Sequence, residues 1–290
     1  MDEVCEHAAM VWSFVLARFQ RVRVSAIVFG LVAIGSATPP CAASCAPPAL
    51  GEGHVAEIID GRSFRLTDGR EIRLAGIEPA GATKADRISA LSALLADHDV
   101  SLRGQDDAPD RYGRQTAFVY LPPSDTPVQA QLLSVGAALV SPELDDMDCA
   151  AALKAAEAEA RRAQSGTWAG NSAIKNAESP DDILAGIGRF TVVEGKVLSV
   201  RQSGATTYLN FGRSWTRDFA VTIPKRVQPA FASAGVALKS LENRRIRVRG
   251  WVEARQGPNQ GPGQGPIQGP IQGPRIDVVR VGQIEVLGGN

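Results

Sequence analysis

A group of cations around a single tryptophan is the first feature of this sequence whose residue types suggest chemistry. Trp215 lies two residues after Arg213 and two before Arg217. An indole ring stacks on nucleobases and arginine attracts phosphate, which together bind single nucleic-acid strands. The alternative is that the cations form a solvated face and that the nearby aromatic residues belong to a hydrophobic core, namely Tyr208, Phe211 and Phe219.

A second row of cations follows at residues 244–249, which read Arg-Arg-Ile-Arg-Val-Arg. Side chains alternate between the two faces of a strand. The alternation therefore places Arg245, Arg247 and Arg249 on one face and the two aliphatic residues on the other. Arg245 and Arg247 are accordingly candidate contacts for phosphate groups.

The distribution of charge assigns this chemistry to the second half of the chain. The 290 residues contain 31 Lys and Arg and 31 Asp and Glu, a formal net charge of zero. Residues 188–290 hold 15 basic and 6 acidic residues, whereas residues 45–187 hold 13 and 22. The local field attracts a polyanion, because salt screens charges beyond about 8–10 Å. We expect single-stranded nucleic acid or another polyanion to bind the basic half, unless the two oppositely charged halves dock and hide it.

The N-terminus has the pattern of an export signal. Three arginines precede the uncharged run Ser25–Ala37, and small residues follow it. The run is shorter than the about 20 apolar residues that a membrane-spanning helix needs. We predict a signal peptide at 1–44 and a periplasmic or secreted protein with no stable membrane span after cleavage. An uncleaved N-terminal anchor is the alternative, and the sequence does not indicate the oligomeric state.

Two cysteines, Cys45 and Cys149, would remain after cleavage. In an oxidising compartment an even pair of cysteines commonly forms a disulfide. We predict a Cys45–Cys149 bond, with two free thiols as the alternative.

The elements of a small barrel are apparent between residues 52 and 170. Apolar alternation around the Asp60-Gly61 and Asp68-Gly69 turns predicts three strands, and helical spacing predicts a helix after them. The predicted strands are 55–59, 63–67, 71–77, 100–102 and 115–121, and the predicted helices are 85–96, 128–136 and 150–164. Five strands with helices favour a barrel of the oligonucleotide-binding (OB) type.

Four motifs in this half resemble those of the staphylococcal nuclease (thermonuclease) family. They are Ile-Asp-Gly-Arg-Ser-Phe-Arg-Leu at 59–66, Ile-Arg-Leu-Ala-Gly-Ile-Glu-Pro at 72–79, Asp-Arg-Tyr-Gly-Arg at 110–114, and the 156–161 helix followed by Gly-Thr-Trp at 166–168. The resemblance implies a nuclease-like barrel and calcium-dependent phosphodiesterase chemistry. In that chemistry two arginines hold the phosphate, carboxylates bind the metal, and a glutamate serves the attacking water.

Matched residue by residue, the resemblance assigns the phosphate to Arg73 and Arg114 and a metal carboxylate to Glu78. Arginine suits this role because its planar fork donates two parallel hydrogen bonds and stays charged. Asp60 is a weaker candidate for the metal, since an aspartate before glycine is also a common turn residue. The alternative for Arg73 is a solvent-facing strand position, and the alternative for Arg114 is a turn.

The acidic half of the motif departs from the family. Residues 60–63 read Asp-Gly-Arg-Ser where the family has Asp-Gly-Asp-Thr, so the cation Arg62 replaces a metal carboxylate. Residues 76–80 read Gly-Ile-Glu-Pro-Ala and lack the water-activating glutamate, unless Glu78 takes that role. Hard cations need several charged oxygen ligands. We therefore expect Ca²⁺ binding to be weak or absent and the phosphodiesterase to be degenerate or altered.

Residues 188–290 predict a second five-stranded barrel after a linker at 171–187. The predicted strands are 190–200, 206–211, 219–223, 245–252 and 276–287, with a helix between Val227 and Leu241. This order is again that of the OB fold. A Gly/Pro/Gln-rich loop at 256–274 cannot contribute to a core. The expected fold is therefore mainly β with α, two OB-type barrels of which the first is nuclease-like with packed helices.

Three functional hypotheses follow from these observations. The protein is a degenerate or altered phosphodiesterase, a non-catalytic protein that binds nucleic acid or another anion, or an envelope adaptor that binds protein or polysaccharide through the second barrel. Metal-dependent turnover separates the first hypothesis from the others. A steep salt dependence of DNA or RNA binding separates the second from the third.

Overall fold

The structure, a computed structural model, describes residues 45–144, 146–171, 173–256 and 271–288. The predicted signal peptide at 1–44 and residues 257–270 of the predicted Gly/Pro/Gln-rich loop lie outside the described residues. Among the residues described, none of the helices combines the length and apolar composition that a membrane crossing requires.

The first region forms a closed five-stranded barrel with helices, as the sequence predicts. Its strands are β1 (Ala49–Ile58), β2 (Ser63–Leu66), β3 (Glu71–Leu74), β4 (Ile77–Pro79), β5 (Asp99–Arg103), β6 (Arg114–Tyr120) and β7 (Ala138–Val140), and its helices are α1 (Lys84–Leu95), α2 (Val128–Ser134) and α3 (Met147–Arg162). The barrel order is β1-β2-β3-β6-β5, and β1 closes it by pairing with both β2 and β5. Alternate strand residues such as Phe64, Ile72 and Leu102 are fully buried and fill the interior.

The strand predicted at 71–77 is broken at Gly76. This glycine has φ +71°, and a Cβ there would lie 2.4 Å from the side chain of Leu144. Only glycine fits such a backbone and such a close approach. After the bend, β4 leaves the barrel and pairs with β7. Arg73 and Glu78 therefore come from two different strands, although only five positions separate them.

The sulfurs of Cys45 and Cys149, the pair predicted from the sequence, form a disulfide with their Cα atoms 4.3 Å apart. Helix α3 begins beside it, where the Asp146 side chain accepts hydrogen bonds from the N–H groups of Asp148 and Cys149. The bond attaches the start of α3 to the first residue of the described chain. It spans a sequence separation of 104 residues.

The second region forms one eight-stranded sheet. Its strands are β8 (Ile174–Asn176), β9 (Phe190–Lys196), β10 (Ser199–Ser203), β11 (Thr206–Asn210), β12 (Ala220–Pro224), β13 (Arg245–Gln256), β14 (Ile271–Asp277) and β15 (Ile284–Val286), and its helices are α4 (Pro180–Leu184) and α5 (Gln228–Ser233). The strand order is β10-β11-β12-β14-β13-β9-β8, with β15 beside β13. The pairs described do not close this sheet, so a second closed barrel is not shown.

Strands extend into the two segments that were predicted as a linker and as a loop. Part of the predicted linker at 171–187 folds into β8 and α4, and β8 pairs in parallel with β9. Three residues are too few for alternation to reveal a strand. At the predicted 256–274 loop, Gln256 of β13 pairs with Ile271 of β14, so strands enter the loop from both sides.

The two regions meet in a shared apolar cluster. Leu139, Ala160 and Trp168 of the first region contact Val192 of β9, and all four are buried. By their contacts the described residues belong to a single compact unit. We call the contact surface between the barrel and the second sheet the seam. It is defined by this cluster together with the face of β13 that carries Arg247 and Arg249.

Candidate anion-binding site

Two arginines converge on one buried carboxylate at the surface of the first barrel. Arg62 Nη1 donates a hydrogen bond to Glu78 Oε1, and Arg73 Nη2 lies 4.0 Å from the same oxygen. The Glu78 side chain is 3% exposed, whereas those of Arg62 and Arg73 are 16% and 18% exposed. The two guanidinium groups therefore cover Glu78 from the solvent side.

The turn between β1 and β2 and a backbone bond to β3 position Arg62. Asp60 Oδ1 accepts the N–H of Arg62 at 2.8 Å, which closes the turn before β2. The carbonyl oxygen of Arg62 then accepts the N–H of Leu74 at 2.8 Å. Asp60 thus serves the turn, the alternative that its sequence position left open.

Arg114 reaches the same surface from β6. Strands β3 and β6 are parallel, with Glu71 opposite Arg114 and Arg73 opposite Thr116. Arg114 therefore lies two residues before the partner of Arg73, on the same face of β6 as Thr116. Its guanidinium donates to Asp110 Oδ2 at 2.8 and 3.1 Å and lies 5.0 Å from the centre of the Tyr112 ring. The Arg114 side chain is therefore fixed before any ligand arrives.

Like charges crowd Arg73. Burial lowers the pKa of the Arg73 guanidinium, and the positive charge of Arg62 lowers that pKa further, with a smaller contribution from Arg114. The carboxylates that oppose this effect are Glu143, whose Oε2 lies 3.4 Å from Arg73 Nη2, and Glu78. The Glu143 side chain is 57% exposed. Arg73 is therefore a partly buried cation with neighbouring cations and a loosely held partner.

The pKa values of Glu78 and Asp110 are shifted in opposite directions. Burial raises the pKa of Glu78, while the charge and hydrogen bond of Arg62 oppose that rise. The hydrogen bond from Arg114 holds the pKa of Asp110 at about 2, well below its usual range. The same bond raises the pKa of Arg114.

Two adjoining cavities open at this cluster. A cavity of about 620 Å³ is lined by Arg73, Asp110 and Glu143 on the barrel side and by Trp251 on the side of the second sheet. A cavity of about 920 Å³ includes Glu78 in its lining and is also bordered by Trp251. The candidate site therefore lies at the seam rather than on an isolated barrel.

The carboxylates predicted as metal ligands do not fit a calcium site. In the described parts of the chain, no group of three or more His, Cys, Asp or Glu side chains is placed to hold a metal ion. Asp60 accepts a backbone N–H, and Glu78 is bound by Arg62. A calcium ion needs six or more oxygen ligands. The Arg62 guanidinium instead supplies the positive charge beside Glu78.

The second group of predicted site residues is exposed but lies apart from the two cavities. Trp215, Arg213 and Arg217 are on the loop between β11 and β12, and the Trp215 side chain is 66% exposed. The loop contacts β14, where the N–H of Gly273 donates to the carbonyl oxygen of Thr216 at 2.7 Å. The structure thus gathers the three predicted residues on one loop and does not bring them into the lining of either cavity.

The prediction that Arg247 contacts phosphate does not fit the structure. The alternation along β13 is as predicted, with the aliphatic neighbours of Arg247 buried. The arginine face, however, is covered at its centre: Arg247 is 8% exposed and donates to Glu194 at 2.7 Å and to Glu285 at 2.9 Å. Its charge is already compensated, so Arg247 does not fit a phosphate contact. Arg245, at the edge of this face, remains 59% exposed and lies 3.9 Å from Glu194.

An ion pair in the seam was missed by the sequence analysis. Arg249 of β13 and Glu157 of α3 make two hydrogen bonds, of 3.0 and 2.9 Å, with both residues almost fully buried. Glu157 also accepts the N–H of Val140 at 2.7 Å, and Arg249 donates to the carbonyl oxygen of Val140 at 3.0 Å. A signal was present, because Glu157 shares the helical spacing of the buried residues Leu153 and Ala160.

Comparison with known proteins supports the identity of the first region. The sequence model of a family described as Staphylococcal nuclease homologue matches residues 82–170. Together with the closed barrel, this match supports a staphylococcal nuclease-like domain in the first region. The matched range includes Arg114 and begins after Arg73 and Glu78, so the altered half of the site lies outside it. A search of curated proteins finds no match for the chain.

Proposed function

We propose that this protein is a degenerate thermonuclease-like protein that binds phosphate groups of nucleic acid through Arg62, Arg73 and Arg114 and requires no calcium ion for binding. The observation that carries the proposal is the environment of Arg73. This arginine lies beside two other guanidinium groups, lines an open cavity, and has an exposed glutamate 3.4 Å away. An incoming phosphate can replace that glutamate and form charge-assisted hydrogen bonds with the arginine.

The role of Arg62 explains why the metal is dispensable for binding. A carboxylate as buried as Glu78 repels an approaching phosphate unless a positive charge compensates it. In a metal-dependent site the ion supplies that charge and also positions the attacking water. Arg62 supplies the charge permanently but cannot position water as a metal does. Position 80 is alanine and Glu78 is bound to Arg62, so we expect phosphodiester hydrolysis to be lost or altered.

We also propose that the second region is an OB-type barrel whose first strand is split into β9 and β10. Its order β10-β11-β12-β14-β13-β9 repeats the order of the first barrel, and β12 pairs in parallel with β14 as β3 does with β6. Between β9 and β10, Val197 N–H donates to Arg244 O and Leu198 N–H donates to Asn210 O. These two consecutive residues thus bond to two different strands, because Arg244 immediately precedes β13 and Asn210 ends β11. Such barrels bind oligonucleotides, and the exposed Trp215 loop and Arg245 would give this one a basic surface.

We propose further that the protein is exported. The pattern at residues 1–44 supports a cleaved signal peptide, and the Cys45–Cys149 disulfide suits an oxidising compartment. Alkylation of the exported protein under non-reducing conditions, followed by mass spectrometry, should find neither of these thiols free. Two alkylated cysteines would contradict an oxidised, exported protein.

The decisive experiment incubates the exported protein with single-stranded DNA in Ca²⁺, in Mg²⁺ and with a chelator. We expect binding in all three conditions. Binding should weaken steeply as salt rises, because binding releases cations from the DNA and a high salt concentration opposes that release. We expect no calcium-dependent cleavage. Binding that requires a metal, or efficient cleavage in Ca²⁺, would overturn the proposal.

A further inference from the structure

We propose that Trp251, on β13 of the second region, is the platform on which a nucleobase stacks when the attached phosphate meets Arg73. The inference rests on the proposed function of the arginine cluster. It adds recognition of the base to recognition of the phosphate, and it assigns part of the site to the second region.

Trp251 is held in place while much of its ring stays open. It lies opposite Phe190 in the β13–β9 pairing, and the two rings meet edge to face with their centroids 6.0 Å apart and an interplanar angle of 75°. It follows Arg247 and Arg249 on the same face of β13, and both of those residues are buried. Trp251 is nevertheless 46% exposed. A large aromatic side chain fixed by its neighbour and left open is suited to stacking on a flat ligand.

Trp251 borders the same space as the arginine cluster. Trp251 and Phe190 line both cavities, while Arg73 lines the smaller one and Glu78 the larger. The charged groups of Arg73 and Glu78 are 4.0 Å apart. The cavities therefore adjoin the aromatic pair on one side and the charged pair on the other. Volumes of about 620 and 920 Å³ lie within the range of small-ligand sites, which is about 300–1,000 Å³.

Arg73 is a cation of the smaller cavity whose carboxylate partner a new anion can displace. Each carboxylate in its lining lies within 4.0 Å of an arginine side chain, Asp110 of Arg114, Glu143 of Arg73, and Glu253 and Asp277 of Arg275. The partner of Arg73 is more exposed than any of the other three carboxylates and is the easiest to displace. A cation beside an open aromatic ring suits a nucleotide. The phosphate would pair with Arg73 and the base would stack on Trp251.

The test uses calorimetric titration of the exported protein in chelator with two ligands, deoxythymidine 3′,5′-bisphosphate and its abasic counterpart, deoxyribose 3,5-bisphosphate. Loss of one stacked base should weaken nucleotide binding about 5- to 140-fold in Trp251→Ala. Binding of the abasic ligand should not change, and Trp251→Phe should keep most of the nucleotide affinity. Leu198→Ala removes a half-exposed apolar side chain of the second region outside the lining of both cavities and is the matched control, with no change for either ligand.

The outcomes separate this inference from the proposed function. If Arg73→Ala weakens both ligands and Trp251→Ala leaves nucleotide affinity unchanged, the stacking platform is wrong and the phosphate site stands. An equal loss for both ligands in Trp251→Ala would mean that the tryptophan only supports the seam, which also overturns the inference. If the native protein binds neither ligand, the proposed function fails and the inference fails with it.

Discussion

Two strands of this protein look alike in sequence and use their arginines differently. Arg73 of β3 and Arg247 of β13 each stand between two buried aliphatic residues. On β3 the arginine lines a cavity among other cations, whereas on β13 it is buried against two carboxylates. Alternation determines which side of a strand a residue occupies. It does not determine what covers that side.

The covered arginines of β13 also answer the question that the charge asymmetry raised. One cation of residues 188–290 is neutralised by the acidic half, because Arg249 pairs with Glu157, whereas Arg247 pairs with Glu194 and Glu285 of its own half. The docking of oppositely charged halves, an alternative left open by the sequence, therefore describes the Arg249–Glu157 pair. Other cations stay exposed, among them Arg245 at the edge of β13 and Arg213 and Arg217 on the Trp215 loop.

The largest expected effect is a loss of stability at Arg249, the most deeply buried of these arginines. Glu157→Gln leaves Arg249 without a compensating charge, and breaking a buried pair in this way costs about 3–5 kcal/mol. Urea denaturation should show that loss in the free energy of unfolding. Arg73→Ala, on the open strand, should change stability far less, and equal losses in the two variants would remove the distinction between the strands.

The next effect concerns ligand affinity. Arg114→Ala should weaken binding of a nucleoside bisphosphate by about 1.5–3 kcal/mol, the contribution of a hydrogen bond to a charged group. Fluorescence anisotropy with a labelled analogue measures it. Arg245→Ala removes an exposed cation outside the lining of both cavities and is the control. A loss in Arg245→Ala alone would move the site from β6 to β13.

The Asp110–Arg114 pair predicts a pH effect on stability. The folded-state pKa of Asp110, about 2, lies below its ordinary value of 3.8, so the folded protein holds this proton less tightly than the unfolded chain. The contribution of the pair is therefore complete above the ordinary pKa and is lost as pH falls towards 2. Thermal unfolding of native protein and Asp110→Asn should differ at pH 5 and converge near pH 2. A difference that does not change with pH would show that the pair makes no such contribution.

The smallest effect concerns the exposed glutamate at Arg73. Glu143→Gln removes a competitor for Arg73, and an exposed pair is worth about 0.2–1 kcal/mol. Affinity for the bisphosphate should rise by that amount. Glu285→Gln, which loosens Arg247 in the seam, should leave the affinity unchanged. A weaker affinity in Glu143→Gln would mean that the glutamate helps to hold the ligand.

Local patterns predicted the parts of this fold that local physics determines. Strand alternation and Asp-Gly turns located all five barrel strands, and the same alternation placed Arg247 on the correct side of β13. The bend at Gly76 and the burial of Arg249 depend on contacts with Leu144 and Glu157, which lie far away in sequence. Trp251 was overlooked for the same reason, since only the meeting of the two regions brings it near Arg73.

The central claim is that an arginine cluster binds phosphate without calcium, and calorimetry of nucleoside bisphosphate binding tests it most directly. The native protein and Arg73→Ala are each titrated in calcium and in chelator. The account predicts equal affinity of the native protein in the two buffers and a large loss in Arg73→Ala in both. Binding by the native protein in calcium alone, or undiminished binding by Arg73→Ala, would contradict it.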